Sequence, residues 1–324
     1  MKNALIIGFT GLFGRYMAPC LRDRGFSLTV TTTDPSHSGD NASLYQDARA
    51  AGNEILRLDV TDRENVENVI SKVKPGVIFD FAVQNSVSRA WREPGVTVDT
   101  NVTGAINVLD AARKMDEMPV VVFAGSGEEY GPHSFDAYPL REDVQPRPDN
   151  VFAASMACAS QMCRIYADAY RMKVMVARTF NEAGPGQSGR FVISDFCRQF
   201  AKAEKAGLKE FPIYVGNINV ERDFTDVRDI VKALCLISEK GRAGEIYNVG
   251  RGHAVPIRRI IEILTGITGI TPEIHADALR FRPQDAPKYE ADTDKLFSDT
   301  GWKPGIPLET TVSDIYEYWK CADR

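Results

Sequence analysis

Long apolar runs and clusters of basic residues are both missing from this 324-residue chain. Its apolar runs are only a few residues long, whereas a membrane-spanning helix needs about 20 apolar residues. No signal peptide is expected either, because Lys2 is followed by a short apolar run and a glycine rather than by an apolar helix with a cleavage site. With 39 Lys and Arg against 44 Asp and Glu, the net charge is −5. The sequence therefore predicts neither a membrane nor a nucleic-acid partner.

Cysteine is also scarce, and its spacing gives no pattern. The six cysteines are scattered, and even Cys158 and Cys163 do not form a CxxC pair. No zinc site and no redox pair are expected from such spacing. We interpret the cysteines as the reduced, mostly buried thiols of a cytoplasmic protein.

Glycine, by contrast, is concentrated at the start of the chain, in MKNALIIGFTGLFG. The apolar run Ala4–Ile7 is followed by three glycines at three-residue spacing and then by an amphipathic segment. This order is typical of a buried strand, a tight turn and a helix whose N-terminus binds a dinucleotide pyrophosphate. One glycine would permit the turn, one would admit the phosphates and one would let the helix pack closely. The expected cofactor contacts in this segment are Gly8, Thr10, Gly11, Leu12, Phe13 and Gly14.

Further strands and helices alternate along the chain at short intervals. Strands are predicted at 26–33, 55–58, 77–81, 120–123 and 174–177, and helices at 62–73, 101–114 and 152–170. This alternation predicts an α/β fold, a Rossmann-type doubly wound parallel sheet. We expect residues 1–178 to form the dinucleotide-binding domain. Residues 179–324, with helices at 191–206, 226–239, 256–267 and 308–320, would form a smaller substrate lobe from which the chain crosses back.

The end of the second predicted strand bears on the choice of cofactor. An acidic residue there would bind the adenosine ribose of NAD, whereas an arginine would bind the 2′-phosphate of NADP. Thr32 and Thr33 occupy the expected place, Asp34 follows slightly late, and no arginine is adjacent. NAD is therefore favoured over NADP, although Asp34 could equally be a turn residue before Pro35. Asp59 and Val60, after the third strand, are expected at the adenine.

Together these pieces resemble the extended short-chain dehydrogenase/reductase family of nucleotide-sugar enzymes. The motifs that carry the resemblance are GFTGLFG at 8–14, Asp59-Val60, FAVQ at 81–84, NVTG at 101–104, SGEEYG at 126–131, and RTFN at 178–181 with Gly184-Pro185. It implies cofactor contacts from Phe81, Ala82, Val83 and Asn101, and a substrate contact from Gln84.

The C-terminal half is similar to GDP-mannose 4,6-dehydratases and GDP-4-keto-6-deoxy-mannose reductases. The similar segments are GPGQ at 184–187, ERDFTDVRD at 221–229 and RPQD at 282–285. By this resemblance Arg222 and Arg282 would clamp the diphosphate, and Asn181 would contact the sugar or its phosphate. Phe191 and Val192 would line the nucleobase pocket. It also implies a GDP-linked hexose as substrate and a homodimer formed through the helices at 101–114 and 152–170.

One part of the family pattern is broken. The family's catalytic tyrosine and lysine lie four residues apart, and the lysine lowers the pKa of the tyrosine so that it can exchange a proton as hydride moves. Here Phe152 and Met156 occupy those positions. The chain is either an engineered, disabled enzyme or a natural divergent member.

A natural divergent member would have lost turnover or moved its acid–base group. Ser126 keeps the family's hydroxyl, and Glu128 matches the glutamate that dehydratases use as a base. Cys158 and His133 are weaker candidates, and Glu129 and Tyr130 are expected to be structural. Three functions follow: a reductase, 4,6-dehydratase or epimerase with impaired catalysis, a silent binding protein, or a non-redox lyase or epimerase using Glu128.

Overall fold

A seven-stranded parallel sheet forms the centre of the fold. The computed structural model describes residues 2–34, 41–134, 137–281 and 286–322. The strands are β1 (Lys2–Ile7), β2 (Phe26–Thr32), β3 (Glu54–Arg57), β4 (Val77–Asp80), β5 (Val120–Ser126), β6 (Val174–Thr179), β7 (Asn181–Ala183), β8 (Glu210–Val215), β9 (Glu221–Arg222), β10 (Phe224–Asp226), β11 (Ile246–Val249), β12 (Val255–Pro256), β13 (Thr271–Ala276) and β14 (Lys288–Tyr289). The central sheet has the order β11-β6-β5-β4-β1-β2-β3.

Helices cover both faces of this sheet. They are α1 (Leu12–Arg22), α2 (Ala42–Ala50), α3 (Arg63–Val73), α4 (Val87–Arg92), α5 (Pro94–Val98), α6 (Gly104–Arg113), α7 (Val151–Tyr170), α8 (Val192–Lys205), α9 (Val227–Lys240), α10 (Arg258–Thr268), α11 (Asp294–Thr300) and α12 (Leu308–Ala322). Short π and 3-10 turns lie at Asp99–Thr103, Gly127–Tyr130 and Ala278–Arg280.

The apolar run in β1 shows why the sequence folds in this way. Ala4 and Ile6 pack in the core shared with α1 and α9, whereas Leu5 and Ile7 pack on the opposite face, in the core shared with α3, α6 and α7. A strand covered on both faces must be apolar throughout rather than alternating. The prediction of a doubly wound Rossmann-type sheet is confirmed.

A third core lies outside this sheet. It is built from α8, α10 and α12 against the parallel pair β8 and β13. In β8, Phe211, Ile213 and Val215 are buried, and the residues between them are exposed. That alternation is expected of a strand with one face on the core.

The chain returns to the central sheet after residue 178. Strand β11 pairs with β6, and α9 packs against α1. The division at 178–179 remains a prediction. Within the described ranges, none of the helices combines the length and apolar composition that crossing a bilayer requires.

Candidate functional site

A cavity of about 1410 Å³ opens at the carboxyl ends of the central strands. Gly8, Phe81 and Ser126, at the ends of β1, β4 and β5, line one side of it, and residues of α8 and β9 line the other. Ligands of doubly wound sheets bind at this edge. Typical small-molecule sites have volumes of about 300–1,000 Å³, so this cavity has room for two ligands. Among the described residues, no cluster of His, Cys, Asp or Glu is arranged to hold a metal ion.

The glycine turn forms one end of the cavity, and each glycine has a different role. Gly8 has φ +82°, and a Cβ there would lie 2.8 Å from the carbonyl carbon of Phe81. At Gly14 a Cβ would overlap the backbone of Phe9. Gly11 is exposed on the cavity wall, where the nearest atom to a Cβ would be the Gly8 oxygen at 3.4 Å. Gly11 also caps α1 without a side chain, so the first-turn N–H groups suit an anion.

Most of the predicted cofactor residues line the same cavity, whereas Gly14, Asp34 and Asn101 are not part of its lining. Phe13 packs against Phe81 with ring centroids 5.4 Å apart. Asp59 Oδ1 accepts hydrogen bonds from the backbone N–H and the hydroxyl of Thr61, at 3.0 and 2.7 Å. Thr10, Leu12, Val60, Ala82 and Val83 line the same surface.

At the predicted ribose end, the Thr32 side chain is hydrogen-bonded within the protein. The hydroxyl of Thr32 lies 2.9 Å from the hydroxyl of Tyr45 and accepts a hydrogen bond from the Asp34 N–H at 3.0 Å. Thr33 is exposed and lines the cavity. Asp34 is half-buried. Thr33 is therefore the most accessible of the three side chains at this edge.

Asn101 and Gln84 form a buried network behind the wall. Asn101 Oδ1 accepts from the Gln84 N–H at 2.7 Å, and its Nδ2 donates to the Gln84 carbonyl at 3.2 Å and to the Ser155 hydroxyl at 2.9 Å. The Gln84 amide donates to the Ser86 carbonyl and the Thr97 hydroxyl. The network fixes the loop after β4 against α7. The π turn at Asp99–Thr103, where the sequence predicted regular helix, aims Asn101 inward.

A second network positions Ser126 and Glu128. The Ser126 hydroxyl accepts from the Glu128 N–H at 3.2 Å, and Glu129 accepts from the Ser126 N–H at 2.8 Å. Fully buried Glu129 also pairs with Arg178 at 2.7 Å and accepts from Ser160 at 3.0 Å. This closed network holds the turn rigid, and Ser126 and Glu128 line the cavity.

The predicted substrate residues other than Gln84, which lines the cavity from the loop after β4, belong to the C-terminal half of the chain. Asn181, Phe191, Val192 and Arg222 all line the cavity, whereas Arg282 lies outside the described residues. Arg222 Nη1 donates to the carbonyls of Glu221 and Ala286 at 2.8 and 2.9 Å. Its guanidinium also sits over the Tyr289 ring, 5.1 Å from the centroid.

Comparison with known proteins identifies the family. The family described as GDP-mannose 4,6 dehydratase matches residues 5–315 of this chain. The chain belongs to this family. It is 34% identical over 250 residues to GDP-6-deoxy-D-mannose reductase of Pseudomonas aeruginosa, covering 77% of this chain and 82% of that protein.

Other relatives agree with this assignment. GDP-mannose 4,6 dehydratase 1 of Arabidopsis thaliana is 25% identical over 323 residues, covering 96% of this chain and 88% of that protein. The structure of RMD from Pseudomonas aeruginosa complexed with NADPH superposes with a TM-score of 0.85 at 28% identity, covering 99% of this chain and 100% of that one. The extended short-chain dehydrogenase/reductase resemblance is therefore confirmed.

In this member of the GDP-mannose 4,6 dehydratase family, two inert side chains occupy the expected catalytic positions. Phe152 and Met156 lie four residues apart at the start of α7 and line the cavity, with exposed fractions of 6% and 1%. Neither side chain carries a proton that it can exchange. Ser126 and Glu128 line the same cavity and do carry exchangeable groups, whereas the hydroxyl of neighbouring Ser155 donates to the Phe152 carbonyl at 2.8 Å.

Glu182 is a cavity residue that the sequence analysis missed. It follows Asn181 in β7 and lines the same cavity as Glu128. Burial, with a smaller contribution from the negative charge of Glu128, raises the pKa of Glu182 to about 7. A carboxyl of this kind holds its proton near neutral pH and can donate it. The only sequence signal was its place beside the motif asparagine.

Proposed function

We propose that this chain binds a nicotinamide dinucleotide along the glycine turn and a GDP-linked hexose against the opposite wall. We further propose that its exchange of hydride and proton is impaired. The observation that carries this proposal is the pairing of an intact binding cavity with Phe152 and Met156 at its wall.

Binding is supported by groups on both sides of the cavity. The uncapped start of α1 offers N–H donors to a pyrophosphate. Arg222 offers a guanidinium, whose planar geometry matches phosphate oxygens. The related RMD structure is described as complexed with NADPH. For this chain, NAD is favoured over NADP because no arginine is adjacent in sequence to Thr32–Asp34, although the neighbouring strand β3 brings Arg57 into register with Thr32. A cytoplasmic homodimer, formed through α6 and α7, belongs to the same proposal.

The expected loss of activity follows from proton transfer. A bound nicotinamide would supply or accept the hydride, while the protein must move the proton on the sugar hydroxyl. Positioned acid–base catalysis contributes about 10²–10⁴-fold, or about 3–5 kcal/mol of barrier. Phe152 cannot supply it, so binding should be retained better than turnover.

Two other functions have support. A silent binding protein fits the intact cavity equally well. A non-redox lyase or epimerase is favoured by Glu128, which lines the cavity on a rigid turn.

Restoring the pair tests the proposal. We expect Phe152→Tyr combined with Met156→Lys to raise kcat at least about 100-fold. Activity on GDP-mannose is measured with the oxidised dinucleotides NAD+ and NADP+, and activity on its 4-keto-6-deoxy derivative is measured with NADH and NADPH. Each single variant is the control, since neither completes the pair. Calorimetric titration of dinucleotide and GDP-mannose reports whether the cavity remains intact.

A double variant that folds and binds both ligands but stays inactive would contradict the impaired-enzyme proposal. Failure to bind either ligand in the unmodified chain would contradict the binding proposal itself. Turnover in the unmodified chain that is lost in Glu128→Gln would favour the non-redox function.

A further inference from the structure

Two cysteines distant in sequence meet where α1 packs against α9. Cys20 lies near the end of α1 and Cys235 lies within α9, 215 residues further along the chain. Their Sγ atoms are 3.5 Å apart, and both cysteines are free thiols. The sequence analysis expected no redox pair because the two positions share no local motif.

The surroundings give the two thiols different properties. Arg24 Nη1 donates to Cys20 Sγ at 3.1 Å, and Arg24 Nε lies 3.7 Å from Glu239 on α9. The hydrogen bond from Cys235 is the main cause that lowers the pKa of Cys20 to about 7, and the Arg24 charge also lowers it. The same hydrogen bond, together with burial, raises the pKa of Cys235.

The two thiols also differ in their exposure to solvent. Cys20 is half-buried, so a small oxidant can reach it. Cys235 is only 1% exposed, and its Sγ lies 3.7 Å from Met17 Sδ. A partly exposed thiol of low pKa beside a buried partner is the arrangement in which oxidation proceeds to a disulfide.

We propose that Cys20 and Cys235 form a reversible oxidation site for hydroperoxides. The Cys20 thiolate attacks a peroxide oxygen, the O–O bond breaks, and the released hydroxide takes up a proton to leave as water. Cys235 then attacks the sulfenic sulfur of Cys20; the S–O bond breaks, and the departing oxygen takes up the Cys235 proton. Two thiols and one hydrogen peroxide thus give one disulfide and two waters. A disulfide of about 2.05 Å requires the sulfurs to approach by about 1.5 Å.

The cross-link would join α1, whose first residues line the cavity, to α9. Helix α1 starts at the glycine turn, and α9 follows β10, whose partner is the wall strand β7. Oxidation would therefore fix the helix of the proposed cofactor site to α9. Because the cross-link closes a long loop in the unfolded chain, the oxidised protein should melt at a higher temperature.

Peroxide treatment of the full chain tests this site. After exposure to hydrogen peroxide at pH 7, thiol titration in denaturant should fall from six per chain by two. A non-reducing peptide map should show Cys20 joined to Cys235, and dithiothreitol should restore all six thiols. Cys235→Ser keeps a hydrogen-bond donor without a sulfur, so dimedone should then trap a sulfenic acid at Cys20. Cys158→Ser removes an exposed thiol outside the pair and should leave the cross-link unchanged.

Several results would overturn the proposal. Retention of all six thiols would do so, and so would a cross-link that involves Cys158 or Cys321 instead. Oxidation of Cys20 no faster than that of exposed Cys321 would show that the environment of Cys20 does not activate it. If Cys235→Ser does not fold, Cys20→Ser provides the check, because a two-thiol loss in that variant would also contradict the assignment.

Discussion

The half-buried Glu182, which lines the cavity, leads to a prediction about stability and pH. Its pKa in the folded chain is about 7, against an ordinary value of 4.5. Between these values the native state binds more protons than the unfolded state, so the free energy of unfolding falls as pH rises. The stabilisation that the native state gains by holding this proton is fully present below pH 4.5 and is lost as pH passes 7. A difference of 2.5 pKa units corresponds to at most about 3 kcal/mol.

Glu182→Gln should remove this dependence, because glutamine resembles the protonated acid at every pH. We expect the variant to match the parent in urea unfolding near pH 4.5 and to exceed it by up to about 3 kcal/mol at pH 8. Asp80 and Asp223 also have pKa values raised to about 6 by burial. The informative quantity is therefore the difference between variant and parent at each pH.

Two further variants sharpen the experiment. Glu117→Gln removes an exposed loop carboxyl and controls for the change in net charge. Glu128→Gln removes the like charge that helps to raise the pKa of Glu182. The pH range over which the free energy of unfolding falls should therefore end at a lower pH in this variant than in the parent. Parallel stability curves for Glu182→Gln and the parent from pH 4.5 to 8 would refute the reasoning.

Two other predictions concern the glycine turn and the buried ion pair. Gly14→Ala should destabilise the fold by about 1–3 kcal/mol, because its methyl group overlaps the Phe9 backbone. Gly11→Ala should lower the free energy of unfolding by less than about 1 kcal/mol. It should nevertheless weaken dinucleotide binding about tenfold or more, as expected if one phosphate hydrogen bond is lost. Equal effects of the two variants on urea unfolding and on calorimetric binding would contradict the assignment of a packing role to Gly14 and a phosphate-binding role to Gly11. Arg178→Met should lower the free energy of unfolding by about 3–5 kcal/mol, because it leaves the Glu129 carboxylate buried without its cation. The control Arg92→Met, at an exposed arginine, should change urea unfolding little. A loss of less than about 1 kcal/mol in Arg178→Met would show that the ion pair contributes little to stability.

The local sequence pattern was sufficient to predict most strands of the central sheet. An apolar run with glycines behind it predicts β1 and the turn, because a strand buried on both faces and a helix approaching it closely leave few other residue choices. Helix α7 was predicted from residue 152 and begins at Val151, and α3 was predicted from 62 and begins at Arg63. The short helices α2, α4 and α5 were not predicted, since segments of five to nine residues give little periodicity to detect.

Features that depend on contacts between distant parts of the chain could not be predicted from local sequence patterns. How far Glu182 is buried depends on β7 pairing with β10, more than 40 residues later. The Cys20–Cys235 contact depends on α9 returning to α1 across a separation of 215 residues. Both features concern proton or electron exchange, which is the chemistry that Phe152 and Met156 cannot perform. A search for activity in this chain should therefore vary pH across 7 and control the redox state of its thiols, because each condition sets the state of a group that lines the cavity or lies where α1 packs against α9.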